Sequence, residues 1–72
     1  MTALPRVSGW EAARAFEKLG YRLRRTAGSH MIYKAPGGGT LSIPNHKELD
    51  TGLLRRLLRD AGITPDEFKD LL

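Results

Sequence analysis

The sequence predicts an α+β fold in which helices cover one face of a three-stranded antiparallel sheet, in the order α-β-β-β-α-α. Three observations lead to this prediction. Apolar residues recur at helical spacing near both ends of the chain. Between them lie three short segments of strand-like composition, separated by the glycine-containing turns 27–29 and 36–39. A capping-box pattern precedes both the first and the last helical segment.

The first helix is predicted at residues 9–19, after a lead-in of residues 1–7. Ser8 and Glu11 have the spacing of a capping box, in which each side chain binds the other's backbone N–H. Gly20 suits the left-handed residue that closes a helix. The apolar side of this helix is formed by Ala12, Ala13, Phe16 and Leu19. Two aromatic residues are also predicted to lie in the core, with stacking on bases as the less favoured role: Trp10 and Tyr21.

The strands are predicted at residues 21–26, 30–35 and 40–43. In the first, Tyr21 and Leu23 alternate with arginines, which indicates a half-buried strand with cationic groups on its open face. In the second, Ile32 lies on the opposite side from Met31 and Tyr33, so the sequence leaves its buried face undecided. In the third, Leu41 and Ile43 are predicted to point inward.

The last two helices follow an irregular segment, residues 44–49. Asp50 or Thr51 is expected to cap the second helix and Gly62 to end it. Thr64 and Glu67 repeat the capping-box spacing and begin the third helix. The apolar stripe of the second helix is Leu53, Leu54, Leu57, Leu58 and Ala61, and that of the third is Phe68, Leu71 and Leu72.

The length of 72 residues favours a single domain, residues 1–72, near the lower limit for a self-sufficient core. The chain has no cysteine, which excludes disulfides, thiol nucleophiles and most structural zinc sites. No apolar run approaches the roughly 20 residues of a membrane span. The N-terminus lacks the apolar segment of a signal peptide. We therefore expect a cytoplasmic protein that does not enter a membrane.

The net charge of +4 is concentrated in the first part of the chain. The window from Lys18 to Lys47 contains six Lys/Arg, both histidines and no Asp or Glu. Small domains often carry a few surplus charges for solubility alone. An acid-free window of this length nevertheless favours an anionic partner such as RNA. The basic residues in it that we predict to contact RNA are Arg22, Arg24, Arg25, Lys34 and Lys47.

His30 is the candidate catalytic residue of this window because the Gly28-Ser29 turn presents it at the start of a strand. A lone histidine is more often a surface residue without a special role. RNA cleavage is a reaction that such a sparse site can perform, because the 2′-hydroxyl of the substrate supplies the nucleophile. The protein must move protons and offset negative charge, which one imidazole and several cations can do.

His46 is compatible with proton transfer, phosphate contact or a structural role, of which the structural role is favoured. His30 and His46 form an improbable metal site because no Cys, Asp or Glu of the window completes it. The arginines of the first strand are also compatible with a solvated face or a protected sheet edge. The 36–39 segment lacks the Gly-Lys-Ser/Thr of a phosphate loop and is predicted to be a turn.

The chain from about residue 9 to 72 resembles the HicA family of toxins, which cleave mRNA in bacterial and archaeal toxin–antitoxin pairs. The resemblance rests on an ordered series of short motifs. These are Leu19-Gly20-Tyr21, Gly28-Ser29-His30 with Met31-Ile32-Tyr33, Pro44-Asn45-His46, Glu48-Leu49, Gly52, the leucine-rich helix and Ala61-Gly62-Ile63.

The resemblance implies a fold of the double-stranded-RNA-binding-domain type, which agrees with the predicted order of elements. It implies that His30 is the catalytic residue. The leading hypothesis is therefore an endoribonuclease that needs no metal or other cofactor. The resemblance also implies a HicB-like antitoxin that masks the active site. We expect the free toxin to be monomeric. The RNA-binding set then comprises Gly28, Ser29 and His46 together with the five basic residues named above.

Two other hypotheses remain at this stage. The first is a non-catalytic RNA-binding module that uses the same basic face, because duplex RNA is recognised largely by its shape. The second is a protein-interaction domain whose cationic face meets an acidic protein.

Overall fold

The computed structural model describes residues 3–72, so Met1 and Thr2 of the predicted lead-in lie outside the described residues. The elements follow the predicted order: α1 Gly9–Glu17, β1 Arg22–Ala27, β2 His30–Lys34, β3 Thr40–Pro44, α2 Thr51–Ala61 and α3 Pro65–Leu71. The strands form one antiparallel sheet in the order β1-β2-β3. The α+β prediction is confirmed, and the arrangement is that of the double-stranded-RNA-binding-domain type.

The helices begin where their side chains satisfy the first free N–H groups. Both predicted capping boxes are present, Ser8 with Glu11 and Thr64 with Glu67, with donor–acceptor distances of 2.8 to 3.1 Å. Asp50 is the N-cap of α2 and accepts a hydrogen bond from the backbone of its third residue. Each cap satisfies donors that the helix itself leaves unpaired.

The first helix ends earlier than predicted because its closing turn begins at Glu17. The Gly20 N–H donates to the Glu17 carbonyl (3.0 Å) and the Tyr21 N–H to the Phe16 carbonyl (3.2 Å). These two bonds form a Schellman motif, and Gly20 adopts the positive φ of 100° that the motif needs. Leu19 falls in this turn and is exposed, so its predicted burial was wrong.

The core lies between the sheet and the helices. Met31 and Tyr33 form the buried face of β2, which decides the question the sequence left open, and Leu41 and Ile43 point inward as predicted. The other large buried side chains are Phe16, Tyr21, Leu49, Leu54, Leu57, Leu58 and Phe68. Leu72 follows the last turn of α3 and is exposed, which corrects its predicted burial.

The face of the sheet opposite the core is open, and its residues form three cross-strand rows. Residues paired across antiparallel strands share a face. The row at one end is Ala27, His30 and Pro44, the middle row is Arg25, Ile32 and Ser42, and the row at the other end is Arg22, Lys34 and Thr40. A bulge between Leu23 and Arg25 adds one residue to β1, so that Arg22 and Arg25 lie on the same face.

Strand β1 is exposed along its whole length, which corrects the prediction that it is half buried. The side chain of Leu23 is 45% exposed although its partner Tyr33 is buried. The helices explain this difference, because α1 and α2 both pack against β3, whereas β1 is the far edge of the sheet. The core therefore covers β2 and β3 and leaves β1 at the rim.

The start of α1 lies directly against the segment that follows β3. The Gly9 N–H donates to the carbonyl of His46 (2.9 Å), and the Leu49 N–H to the carbonyl of Val7 (2.8 Å). A Cβ atom on Gly9 would collide with the carbonyl oxygen of Pro44. Glycine is thus the residue that permits this close contact, which fixes the segment with His46 next to the end of the sheet.

Candidate active site

His30 is presented by a tight hairpin turn at the end of the sheet. Ala27 pairs with His30, which leaves Gly28 and Ser29 as the two turn residues. Gly28 has a φ of 60° whereas Ser29 does not have a positive φ, a pattern typical of a type II′ turn. The turn therefore requires glycine at its first position and places the imidazole on the open face.

The imidazole lines a groove of about 410 Å³ between the open face of the sheet and α2. Its walls are formed by His30, Thr40, Ser42 and Pro44 from the sheet and by Leu53, Arg56, Leu57 and Asp60 from α2. The volume lies within the range of small-molecule sites and suits one nucleotide unit. His30 is exposed, and within residues 3–72 no hydrogen bond or ion pair engages its side chain. The ring is therefore accessible to a ligand in the groove.

Two charged residues of α2 share the groove with His30, and the sequence analysis did not identify them. Arg56 and Asp60 are four residues apart, which places them on one side of the helix. The groove thus combines an imidazole, a guanidinium and a carboxylate. The sequence did contain one signal, since both residues lie beside Leu53 and Leu57 on the helical wheel. It could not show that this side of α2 adjoins β3.

Several predicted site residues lie at the His30 end of the sheet. The Asn45 N–H donates to the carbonyl of Ser29 at 2.7 Å, which extends the β2–β3 pairing past His30 into the turn. His46 follows Asn45, and its carbonyl receives the bond from α1. The side chains of His46 and Lys47 are exposed. The structure therefore brings Gly28, Ser29 and the 46–47 segment to the same end of the molecule as His30.

The other predicted cations lie away from His30. Arg22, Arg24 and Lys34 line a separate groove of about 440 Å³ at the opposite end of the β1–β2 hairpin. Lys34 is four residues from His30 along β2, which corresponds to about 13 Å. Arg25 lies between the two ends, in the middle row of the open face. The exposed side chains of Arg22, Arg24, Arg25, Lys34 and Lys47 together form a cationic surface. Of these, Arg22, Arg24 and Lys34 do not share a groove with His30.

The opposite face of β2 contains Tyr33, a tyrosine whose pKa is raised. The Tyr33 hydroxyl donates to the carboxylate of Glu17 on α1 at 3.2 Å. Burial raises the pKa of Tyr33 above its ordinary value of 10.0, and the hydrogen bond and negative charge of Glu17 raise it further. The phenol is thus neutral at physiological pH. Its hydrogen bond to Glu17 connects α1 to β2, the strand that presents His30.

The sequence of the chain matches the family model described as HicA toxin of bacterial toxin-antitoxin over residues 9–63, which is more than half of its length. The chain belongs to the HicA toxin family. No curated protein matches it. The match confirms the resemblance inferred from the Gly-Ser-His motif and includes every residue that lines the His30 groove.

The C-terminal helix lies outside the HicA match, yet it contributes to the core. Phe68 of α3 is fully buried, and its ring lies 5.7 Å from that of Phe16 in α1. The Lys18 ammonium group donates to the carbonyl of Leu71 at 2.7 Å. In this HicA chain, α3 therefore packs against α1 and helps to complete the core.

Two features are absent from the described part of the chain. Within residues 3–72 no three His, Cys, Asp or Glu side chains are grouped closely enough to hold a metal ion. None of the helices in that range is both long and apolar enough to cross a membrane.

Proposed function

We propose that this HicA-family chain is an endoribonuclease toxin that cleaves mRNA in the cytoplasm, with His30 as its catalytic residue. The observation that supports this most strongly is that His30 shares a groove with Arg56 on the open face of the sheet. The groove offers both functions that cleavage requires, which are proton transfer and stabilisation of negative charge. Family membership supports the toxin role.

In the proposed reaction the 2′-hydroxyl oxygen of one nucleotide attacks its own 3′-phosphorus atom. His30 removes the proton of that hydroxyl or donates a proton to the departing 5′-oxygen. The P–O5′ bond breaks, which leaves a 2′,3′-cyclic phosphate on one fragment and a 5′-hydroxyl on the other. Arg56 binds the phosphate oxygens, whose negative charge increases in the transition state. Asp60 lines the same groove as these two residues.

The remaining cations hold the RNA on either side of the reacting phosphate. Arg22, Arg24 and Lys34 provide a second groove for the backbone at the far end of β2. Arg25 lies between the two grooves, and Lys47 extends the cationic surface beyond His30. Gly28, Ser29 and His46 surround the reacting nucleotide. Such phosphate contacts contribute affinity and position without selecting a sequence.

We further propose a HicB-like antitoxin as the protein partner and a monomeric free toxin. An antitoxin that covers the His30 groove would block access of RNA. Because it binds the folded toxin only, it also shifts the folding equilibrium toward the native state. A chain of 72 residues, with a correspondingly small core, gains from such a partner.

Analysis of the product ends tests the proposed chemistry. A long mRNA is incubated with the protein in EDTA, beside the same RNA with a 2′-deoxy nucleotide at the main cleavage site. We expect 5′-hydroxyl and cyclic-phosphate ends in chelator, and no cleavage at the deoxy position. Products with 5′-phosphate ends, or cleavage of the deoxy substrate, would contradict the use of the 2′-hydroxyl. Loss of activity in EDTA would contradict a metal-independent mechanism.

A non-catalytic RNA-binding module is the second candidate. It is favoured by the groove of Arg22, Arg24 and Lys34, which can bind phosphates without any chemistry. This candidate predicts that the protein binds RNA at low salt and leaves it intact. Failure to bind any RNA at low salt would instead favour a domain that meets only an acidic protein.

A further inference from the structure

Trp10 differs from the other aromatic residues of this chain in its exposure to solvent. The other four aromatic side chains, Phe16, Tyr21, Tyr33 and Phe68, are buried in the core. The indole of Trp10 is 50% exposed, which corrects the prediction that it belongs to the core. A large aromatic ring stabilises a fold by being buried, and an exposed helix position is served equally well by many polar residues. About half of the indole surface is therefore available to contact a ligand.

Trp10 lies at the same end of the molecule as His30. The preceding residue, Gly9, donates its N–H to the carbonyl of His46 at 2.9 Å. Asn45, the neighbour of His46, donates to the carbonyl of Ser29 at 2.7 Å. Two backbone hydrogen bonds thus connect the first turn of α1, through the 45–46 segment, to the turn that presents His30.

Trp10 lies on α1 between the side of Arg14 and the side of Glu17. The side of α1 that meets the end of α3 is formed by Glu11, Arg14 and Lys18. Glu17 lies on another side, from which its carboxylate reaches Tyr33 of β2. Trp10 precedes Arg14 by four residues and Glu17 by seven, so its side chain lies between these two sides. The indole remains half exposed at this position.

We propose that Trp10 stacks on an unpaired base of the RNA close to the phosphate at His30. This inference rests on the proposed function and specifies its substrate as a single-stranded segment. Exposed aromatic rings beside cationic residues stack on bases of any identity, because every base has a π face. In a duplex the base faces are covered by their neighbours, whereas unpaired bases are free to stack on a protein ring. Lys47 and His46 supply the polar surroundings.

Intrinsic fluorescence tests this contact directly, because Trp10 is the sole tryptophan of the chain. The full chain with His30→Ala is titrated with a short unpaired RNA and, separately, with a duplex of the same length. Binding is measured in parallel by the anisotropy of a labelled RNA. We expect the unpaired RNA to quench the tryptophan fluorescence to saturation, with half-maximal quenching at the same RNA concentration as the midpoint of the anisotropy curve. We expect the duplex to bind at least several-fold more weakly.

Variants separate stacking from folding. Trp10→Ala is expected to weaken binding of unpaired RNA about 10-fold, within the range typical of one stacked base, whereas Trp10→Phe loses less than about 3-fold. Leu19→Ala removes an exposed apolar side chain from the other end of α1 and should leave affinity unchanged. In the otherwise wild-type chain, Trp10→Ala should raise KM with little change in kcat.

The outcomes distinguish this inference from the proposed function. RNA binding by anisotropy without a change in tryptophan fluorescence, or unchanged affinity in Trp10→Ala, would overturn the stacking role while leaving the nuclease intact. Absence of RNA binding at low salt would overturn both. If Trp10→Ala binds RNA normally but loses affinity for a HicB-like protein, the indole is a protein contact and the inference is wrong.

Discussion

The two ends of β2 on the open face both adjoin cationic side chains but have different surroundings. At one end, His30 lies in a groove with Arg56 and Asp60 of α2. At the other end, Lys34 lies with Arg22 and Arg24 of β1, away from α2. Only the first groove combines an imidazole with both a cation and a carboxylate.

This difference separates chemistry from binding. A groove walled by a sheet and a helix can hold a phosphate in a defined geometry, which proton transfer requires. The cations of an exposed edge strand attract the backbone of a polyanion without fixing it closely. We therefore assign cleavage to the His30 end and affinity to the Arg22–Lys34 end. The four predictions below test this division, from the largest effect to the smallest.

The largest effect is expected for His30→Ala. Loss of a general acid–base group typically lowers the rate by a factor of about 10² to 10⁴. The side chain is exposed and has no partner within residues 3–72, so the melting temperature and RNA affinity should stay near the wild-type values. Cleavage assays with a thermal melt check this. Retained cleavage in a variant that is free of contaminating nuclease would exclude His30 as the catalytic residue.

Replacement of Arg56 is expected to have the next largest effect. Arg56→Ala removes the cation that offsets transition-state charge, and loss of one such donor typically costs about 10²-fold in kcat. Arg59→Ala is the matched control, since Arg59 lines a different groove, on the other side of α2 from His30. Single-turnover rates at saturating RNA compare the two. Equal rates for both variants would show that Arg56 does not contact the reacting phosphate.

A smaller effect is expected at the other end of the sheet. The double variant Arg22→Ala/Lys34→Ala should weaken RNA binding about 10-fold and reduce the slope of log K against log salt by roughly 2. Arg14→Ala/Lys69→Ala removes the same charge from the helices and serves as the control. A salt slope that is identical in the two double variants would contradict a specific contact at the far end.

The smallest effect is expected for Tyr33, on the buried side of β2. Tyr33→Phe loses the hydrogen bond to Glu17, which should lower the free energy of unfolding by about 1 kcal/mol at neutral pH. Because the pKa of Tyr33 is raised in the folded state, the unfolded chain releases this proton first. The stabilising contribution is therefore complete below pH 10 and is lost as the pH rises above it.

Chemical denaturation at several pH values measures this dependence. The difference in stability between wild type and Tyr33→Phe should be constant below pH 10 and narrow above it. Cleavage at neutral pH should be unchanged at a temperature where both proteins are folded. A widening difference above pH 10 would show that the shift has the opposite sign.

The sequence predicted most of the fold because its local signals are strong. The capping boxes at Ser8 and Thr64 and the closing glycines at residues 20 and 62 determine where the helices begin and end. Local patterns cannot report which parts of the sheet the helices cover. For that reason the exposure of Leu23 and Trp10 was predicted wrongly, although their elements were predicted correctly.

The candidate site was predicted only in part for a related reason. His30 follows from a local motif, the glycine-containing turn before a strand. Arg56 and Asp60 are distant from it in sequence and enter the groove only because α2 packs beside β3. Conversely, Arg22 and Lys34 are closer to His30 in sequence but are kept apart from it by the length of β2. Proximity along a strand is thus a poor guide to a shared site.

The measurement that tests the central claim most directly is the single-turnover cleavage rate at saturating RNA, determined for His30→Ala and for Arg22→Ala/Lys34→Ala under one set of conditions. The division of roles predicts almost no cleavage by the first variant at wild-type affinity. It predicts a wild-type rate for the second variant once enough RNA is added to compensate for weaker binding. A saturated rate that falls by a similar factor in both variants would contradict the account, because the two ends of β2 would then form one catalytic site.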